Sequence, residues 1–236
     1  MKYDIVYLVK NDDINHELRY SLRSLKNIPH ASVIIAGHKP SWVKNVIHIE
    51  TDQKSHKYAN STNNLIAACN SDLVEQDFIL MNDDFFIMKP LKELPVLHRG
   101  SIDGVIQYYA SKGNNYHKGM IQTRDLLVEM GIRDIKSYEL HVPMLVNKGK
   151  MLTVMKLRSQ LGGDAIKAFH KRTFYGNYWR IGGETQADVK IHDEREQYSD
   201  KWEQMTFMST LDRSFEFGAI GRFIREKFSE KSEYEI

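Results

Sequence analysis

The sequence predicts an α/β protein: a mostly parallel central sheet flanked by helices, with a helical C-terminal part. Short β-rich apolar runs alternate with segments whose apolar residues recur at helical spacing. Short polar turns join them, the pattern of a parallel sheet wrapped by helices. Hydrophobic residues at 42% and charged residues at 27% of 236 are ordinary values for a chain that buries a proper core.

The first run, residues 4–9 (DIVYLV), reads as a strand, ended by the turn Lys10-Asn11-Asp12-Asp13. Ile14, Leu18, Leu22 and Leu25 then recur as one face of an amphipathic helix. After Pro29, residues 32–36 (SVIIA) read as a second buried strand and residues 46–49 as a third. Ser61 or Thr62 caps a helix running to Cys69, which Asn70-Ser71-Asp72 terminates. The strand at residues 77–81 follows. Further on, residues 102–109 (IDGVIQYY) predict another strand and residues 111–119 a polar loop, with helices at 144–161 and 219–228. Residues 173–183 (TFYGNYWRIGG) form an aromatic, glycine-rich segment between those helices. With no internal repeat, low-complexity tract or clear linker, the expectation is one domain over residues 1–236.

A formal charge of +2 is too small to argue for nucleic acid by bulk electrostatics, though it leaves room for a local basic face. The one cysteine, Cys69, forms no internal disulfide, which predicts a reducing, cytoplasmic setting. Asp4 interrupts the first apolar stretch, so no signal peptide is expected, and no apolar run reaches the roughly 20 residues that span a bilayer. GxxxxGK[ST], GxGxxG, HExxH and GxSxG motifs do not occur.

The informative stretch is FILMNDDFFIM, residues 78–88, where Asn82, Asp83 and Asp84 interrupt an apolar run. Burying two adjacent carboxylates is costly unless something compensates. One solution is a turn capped in water. The other is a hard divalent cation, Mn2+ or Mg2+, which takes oxygen ligands and completes its shell with water and a diphosphate. The apolar flanks and the preceding strand-helix-strand pattern favour the cation, at the strand end where open α/β sheets bind ligands. That points to a nucleotide-diphosphate substrate.

Residues 3–88 resemble the nucleotide-sugar-binding half of GT-A glycosyltransferases, a Rossmann-like fold, through YDIVYLV, ELRYSLRSL, SVIIAGHKPSWV, STNNLIAACNSD and DFILMNDD in order. The chain is also similar to the Stealth family of sugar-phosphate transferases. The matching pieces are Glu17 to Ser24, Pro40-Ser41-Trp42, the NDD segment through Ile87, His141-Val142-Pro143 with a downstream arginine, and FSEKSEYE near the end. The family's VDGSD-like signature is replaced here by Val9-Lys10-Asn11-Asp12-Asp13, with Asp12 or Asp13 in place of its aspartate.

The resemblance implies a metal-dependent transferase using a nucleotide-diphosphate sugar, a UDP-sugar, with a donor half at 1–110 and an acceptor half at 111–236. Stealth-type sugar-1-phosphate transfer and a non-catalytic glycan- or nucleic-acid-binding module are the alternatives. Asp84 is the expected metal ligand, with Asp83 holding metal or ribose. Asp4, Tyr7 and Val9 are expected near the base pocket, where Tyr7 either stacks on uracil or packs in the core. Asn63 and Asn64 are expected to reach the nucleotide, or to lie solvated on their helix. Arg172 and Arg180 are candidates to clamp the diphosphate. Glu139, His141 and Asp212 are the candidate catalytic groups facing the acceptor. Lys167, His170, Lys171, Arg172 and Arg180 interleave with Phe169, Phe174, Tyr175, Tyr178 and Trp179. Such a segment is expected either to stack on a glycan or a modified DNA base, or to be a partly buried aromatic loop.

Overall fold

The computed structural model describes residues 2–192 and 197–236. Strand β1 (Tyr3–Val9) leads through helix α1 (His16–Ser24) to β2 (His30–Gly37) and β3 (Ile47–Ile49). Helix α2 (Lys57–Asn70) precedes β4 (Asp77–Asn82) and β5 (Phe85–Ile87). The short strand β6 (Leu97–His98) is followed by α3 (Ile102–Tyr108), α4 (Asn115–Glu129), β7 (Met144–Asn147), α5 (Lys148–Gln160) and α6 (Lys171–Tyr178). The chain ends with β8 (Glu184–Thr185), β9 (Lys190–Ile191), α7 (Lys201–Gln204), β10 (Phe207–Thr210), α8 (Asp212–Phe217) and α9 (Ala219–Lys227).

The central sheet has the order β3-β2-β1-β4-β7. Its first four strands run parallel, and β7 closes the edge antiparallel to β4. Successive side chains of a strand face opposite ways, and both faces are covered. Val6, Ile34, Phe78 and Leu80 join one apolar core, while Ile5, Ile35, Ile79 and Met81 join the other with Leu18 and Leu22 of α1. Burial on both sides is why these strands read as unbroken apolar runs. A second sheet, β5-β10-β9, carries a third core around Phe86, Met208 and Phe215.

The mostly parallel sheet, its flanking helices and the predicted 219–228 helix all stand. Four local expectations do not, the first being the cap at Ser61 or Thr62. Helix α2 begins at Lys57 under His56, whose side chain accepts from Ala59 N, and Ser61 and Thr62 lie inside it. Residues 102–109 form helix α3 rather than a strand. Ile102, Val105 and Tyr109 are buried at helical spacing, and this periodicity outweighs their β-rich composition. The segment expected as a loop at 111–119 already contains the first turn of α4, capped by the Asn114 side chain, which accepts from His117 N at 3.0 Å. Residues 144–147, expected as helix, are the edge strand β7, and the helix begins only at Lys148.

Candidate functional site

The chain leaves the central sheet at the end of β4, turns through Asp83 and Asp84, and enters the second sheet as β5. Beyond the carboxyl ends of β1 and β4 lies a cavity of about 1000 Å³, lined by both aspartates, Asn64, His141, Lys190 and Asp212 among others. A smaller cavity of about 160 Å³ adjoins it, sharing Asn82, Tyr116 and His141 and bordered by Glu139, Lys171 and Arg172. This is the strand-end position at which open α/β sheets bind ligands.

Each aspartate has its own support. Asn15 caps α1 by accepting from Leu18 N at 3.1 Å, and its Nδ2 donates to Asp83 Oδ2 at 2.8 Å, so the start of α1 is tied to the motif. Burial and the neighbouring Asp84 raise the Asp83 carboxyl above its usual range. Asp84 Oδ2 lies 2.6 Å from Lys190 Nζ and accepts from Ser209 Oγ at 2.9 Å. Burial pushes Asp84 up, but Lys190, His141 and the hydrogen bond from Ser209 hold it below the ordinary value. The register of β9 on β10, with Lys190 opposite Ser209, delivers both donors to the one carboxylate.

A third acid, Glu17, is buried beside the pair and accepts from Thr210 Oγ1 at 2.5 Å. Burial, followed by the charge of Asp84, pushes its carboxyl up to about 9, so it is protonated at neutral pH. Asp212 at the start of α8 is the exposed member, 2.9 Å from Lys10 Nζ. Among the described residues no group of three or more His, Cys, Asp or Glu side chains is arranged to hold a metal ion.

Of the expected site residues, Asp83, Asp84, Asn64, His141 and Asp212 line the main cavity. Buried Asn64 accepts from Thr51 Oγ1 at 2.6 Å and donates to Val9 O at 3.2 Å. Val9 contributes that carbonyl, which also accepts from Gln53 Nε2 at 2.8 Å. The close approach needs Gly37, whose φ is +115° and whose Cβ, if present, would stand 2.3 Å from Val9 O. Asn63, the preceding position on α2, is exposed to solvent and does not line either cavity.

Several expectations are corrected. Asp4 sits at the opposite end of β1, paired with Phe78, where its carboxylate accepts from Ser32 N at 3.1 Å and Glu75 N at 3.0 Å. Tyr7 faces the core under α1, fully buried, with its hydroxyl 2.9 Å from Ser21 Oγ, so it offers no stacking face. Glu139 borders the smaller cavity, but its Oε1 already accepts from Arg172 N at 3.1 Å and Thr173 N at 3.3 Å, capping α6. Arg180 is exposed at the end of α6, with φ 50°, and lines neither cavity. Arg172 is buried, donates to Leu140 O and Val142 O, and lies 5.0 Å over the Phe85 ring. Phe169, Phe174 and Tyr175 are core side chains, as the partly buried alternative for the 165–180 segment expects, while Tyr178 and Trp179 are half-buried and Phe169 also borders the smaller cavity. Asp13 is engaged by Ser41 N and Oγ at 2.8 and 2.9 Å, and Asp12 Oδ1 accepts from Ile14 N and Asn15 N, so both serve the turn into α1.

Sequence reasoning missed Glu17, Asp188 and Lys190. Glu17 precedes the buried Leu18 and shares a helix face with buried Ser21, an available signal. Residues 188–191 (DVKI) alternate polar and apolar, the period-2 mark of a strand with Asp188 and Lys190 on one side.

No family model matches this chain, and no curated protein matches it in sequence. Among solved structures, the galactosyltransferase LgtC in complex with donor and acceptor sugar analogs is similar over 97% of this chain and 96% of that one, with TM-score 0.53 and 10% identity. A structure of LgtC carrying a single active-site substitution matches with the same values. The glycosyltransferase GlyE of Streptococcus pneumoniae TIGR4 matches at TM-score 0.38 and 8% identity over 50% of its length. The likeness to LgtC shows the fold: this chain has the α/β architecture of GT-A glycosyltransferases.

Proposed function

We propose that this chain transfers a sugar from a nucleotide-diphosphate sugar, a UDP-sugar, to an acceptor hydroxyl on a glycan or a hydroxylated DNA base. The observation that carries the reading is the adjacent pair Asp83 and Asp84 at the end of β4, on the wall of a large cavity in a GT-A fold.

The donor set suits a divalent cation, Mn2+ or Mg2+. Two carboxylates adjacent in sequence offer hard oxygen ligands, and burial first and the neighbouring Asp84 second raise the Asp83 carboxyl even with Lys190 on Asp84. Asp83 and Asp84 would hold the ion, which would neutralise the leaving nucleotide. Lys190 fixes Asp84, Asn15 fixes Asp83, and Asn64, anchored to the Val9 carbonyl, lines the cavity with them. Residues 1–110 supply Asp83, Asp84, Asn15 and Asn64, and residues 111–236 supply His141, Lys190 and Asp212 on the acceptor side of what we take as a single catalytic domain. His141 is the group we assign to the acceptor.

A second reading, sugar-1-phosphate transfer of the Stealth type, is favoured by one observation. Arg172 lies over Phe85 and the His141 ring meets Phe85 edge-on at 6.2 Å, so the HVP histidine, the downstream arginine and the NDD motif converge. The products separate the two, nucleoside diphosphate for sugar transfer and monophosphate for sugar-phosphate transfer. The first experiment is a thermal-shift series with UDP-sugars, with and without Mn2+. The expected result is a rise that grows with the logarithm of donor concentration and needs the ion. No shift with any nucleotide sugar would sink the reading.

A further inference from the structure

Resting on the proposed transfer, we infer that Asp188, itself pinned by Arg99, is a positioning residue that fixes His141 as the base for the acceptor hydroxyl. His141 Nδ1 lies 2.8 Å from Asp188 Oδ1, across 47 residues of sequence. The other oxygen, Oδ2, is 3.1 Å from Arg99 NH1, which also donates to Tyr109 Oη at 3.2 Å. The side chains of Asp188 and Arg99 are 13% and 11% exposed, so both are held away from bulk water.

An ionised carboxylate only accepts. Burial pushes the Asp188 carboxyl up, yet His141, Arg99 and the Lys190 amide hold it below the usual range, so it stays ionised. The hydrogen bond is therefore donated by His141 Nδ1–H, and in the neutral ring that tautomer leaves the lone pair on Nε2. The edge-on contact with Phe85, at an interplanar angle of 87°, fixes the plane of the ring, and His141 lines both cavities.

The segment that leads into β9 explains why this pair stands where it does. Asp188 and Lys190 are two residues apart, and the first holds the imidazole while the second holds Asp84. One short segment thus sets the distance between the base and the acidic motif. The rival bases are engaged elsewhere, Glu139 by the amides of α6 and Asp212 by Lys10.

In the transfer, the acceptor oxygen bonds to the anomeric carbon as that carbon's bond to the phosphate oxygen breaks. The bonding pair leaves on the diphosphate, and the hydroxyl proton passes to His141 Nε2.

The test is Asp188→Asn. A carboxamide keeps the shape, but with its oxygen on Arg99 it turns N–H toward Nδ1 and drives the proton to Nε2. Histidine 15N NMR, recorded without donor, should show Nδ1–H in the wild type and Nε2–H in the variant. With UDP-sugar, kcat should fall about 10²–10⁴-fold, the scale of general-base catalysis, with KM changed less than about threefold. Asp188→Glu should recover part of kcat.

An unchanged tautomer, or a loss confined to KM, would overturn the assignment. Should Asp188→Asn fail to fold, Arg99→Gln should show the same split with a smaller loss, and equal kcat there would also overturn it. A wild type with the expected tautomer but no turnover of any nucleotide sugar would instead remove the transfer reading while leaving the pairing intact.

Discussion

Asp4 lies near the start of β1 and Asp84 in the turn that follows the neighbouring β4, at opposite ends of one sheet, and their surroundings differ in kind. Asp4 is 4% exposed and its partners are backbone amides, Ser32 N on one oxygen and Glu75 N on the other. Those donors are fixed by the strands and loops that carry them, and nothing is left to bind. Asp84 is satisfied by side chains, the Lys190 ammonium and the Ser209 hydroxyl, both on Oδ2, and it lines a cavity of about 1000 Å³. Side-chain donors rearrange when a ligand arrives, whereas strand amides do not. The two carboxylates thus differ in who donates to them and in whether a cavity reaches them.

Substitution at each end breaks the comparison in opposite directions. Asp84→Asn keeps polar atoms for Lys190 and Ser209 and relieves Asp83, so the melting temperature should stay within a few degrees. Turnover of nucleotide sugar should fall by about 10² or more, the order lost when one preorganised electrostatic contact is removed. Asp4→Ala should do the reverse. Each stranded amide costs about 1–3 kcal/mol in urea unfolding, while turnover per folded molecule holds. Equal loss of turnover in both variants would erase the distinction.

The same contrast explains what the sequence disclosed. Two charges inside FILMNDDFFIM are an anomaly visible without a structure, because apolar neighbours announce burial on both sides. The strands were legible for the same reason, and it hid the orientation of Tyr7, since a strand apolar on both faces does not say which residue looks at the cavity. Helix α3 was misread because its Ile and Val content suits a strand, although Ile102, Val105, Ile106 and Tyr109 follow a helical period. The His141–Asp188–Arg99 set joins three segments through tertiary packing alone, and only the alternation around Lys190 hinted at it.

Glu17 sharpens the comparison by a second route, pH. Its carboxyl titrates at about 9 in the fold against an ordinary value of 4.5. The folded state therefore keeps a proton that the unfolded chain gives up. The sign follows directly: this stabilising contribution is whole below pH 4.5 and is lost progressively as pH rises toward 9. Glu17→Gln, which stays neutral in both states, should match the wild type near pH 4 and exceed it increasingly above about pH 6 in urea unfolding. Parallel curves would mean that Glu17 is ionised in the fold, and that the acidic end of the sheet carries one more charge than described.

The smallest effect belongs to Asp212, the acid at this end of the sheet that water reaches. Its side chain is 74% exposed, and its partner Lys10 is 47% exposed at 2.9 Å. An exposed pair of this kind contributes about 0–1 kcal/mol, because solvent screens the attraction and two side chains must be ordered to make it. Asp212→Asn retains an acceptor for Lys10 and for the protonated Glu17. It should shift unfolding by less than about 0.5 kcal/mol, and about 0.5 M salt should shrink even that difference. Turnover should change by no more than about threefold, since proton transfer is assigned to His141. A fall of a hundredfold at unchanged stability would instead make Asp212 the base, and the exposed rim of the cavity, not the Asp188–His141 pair, would be where the acceptor loses its proton.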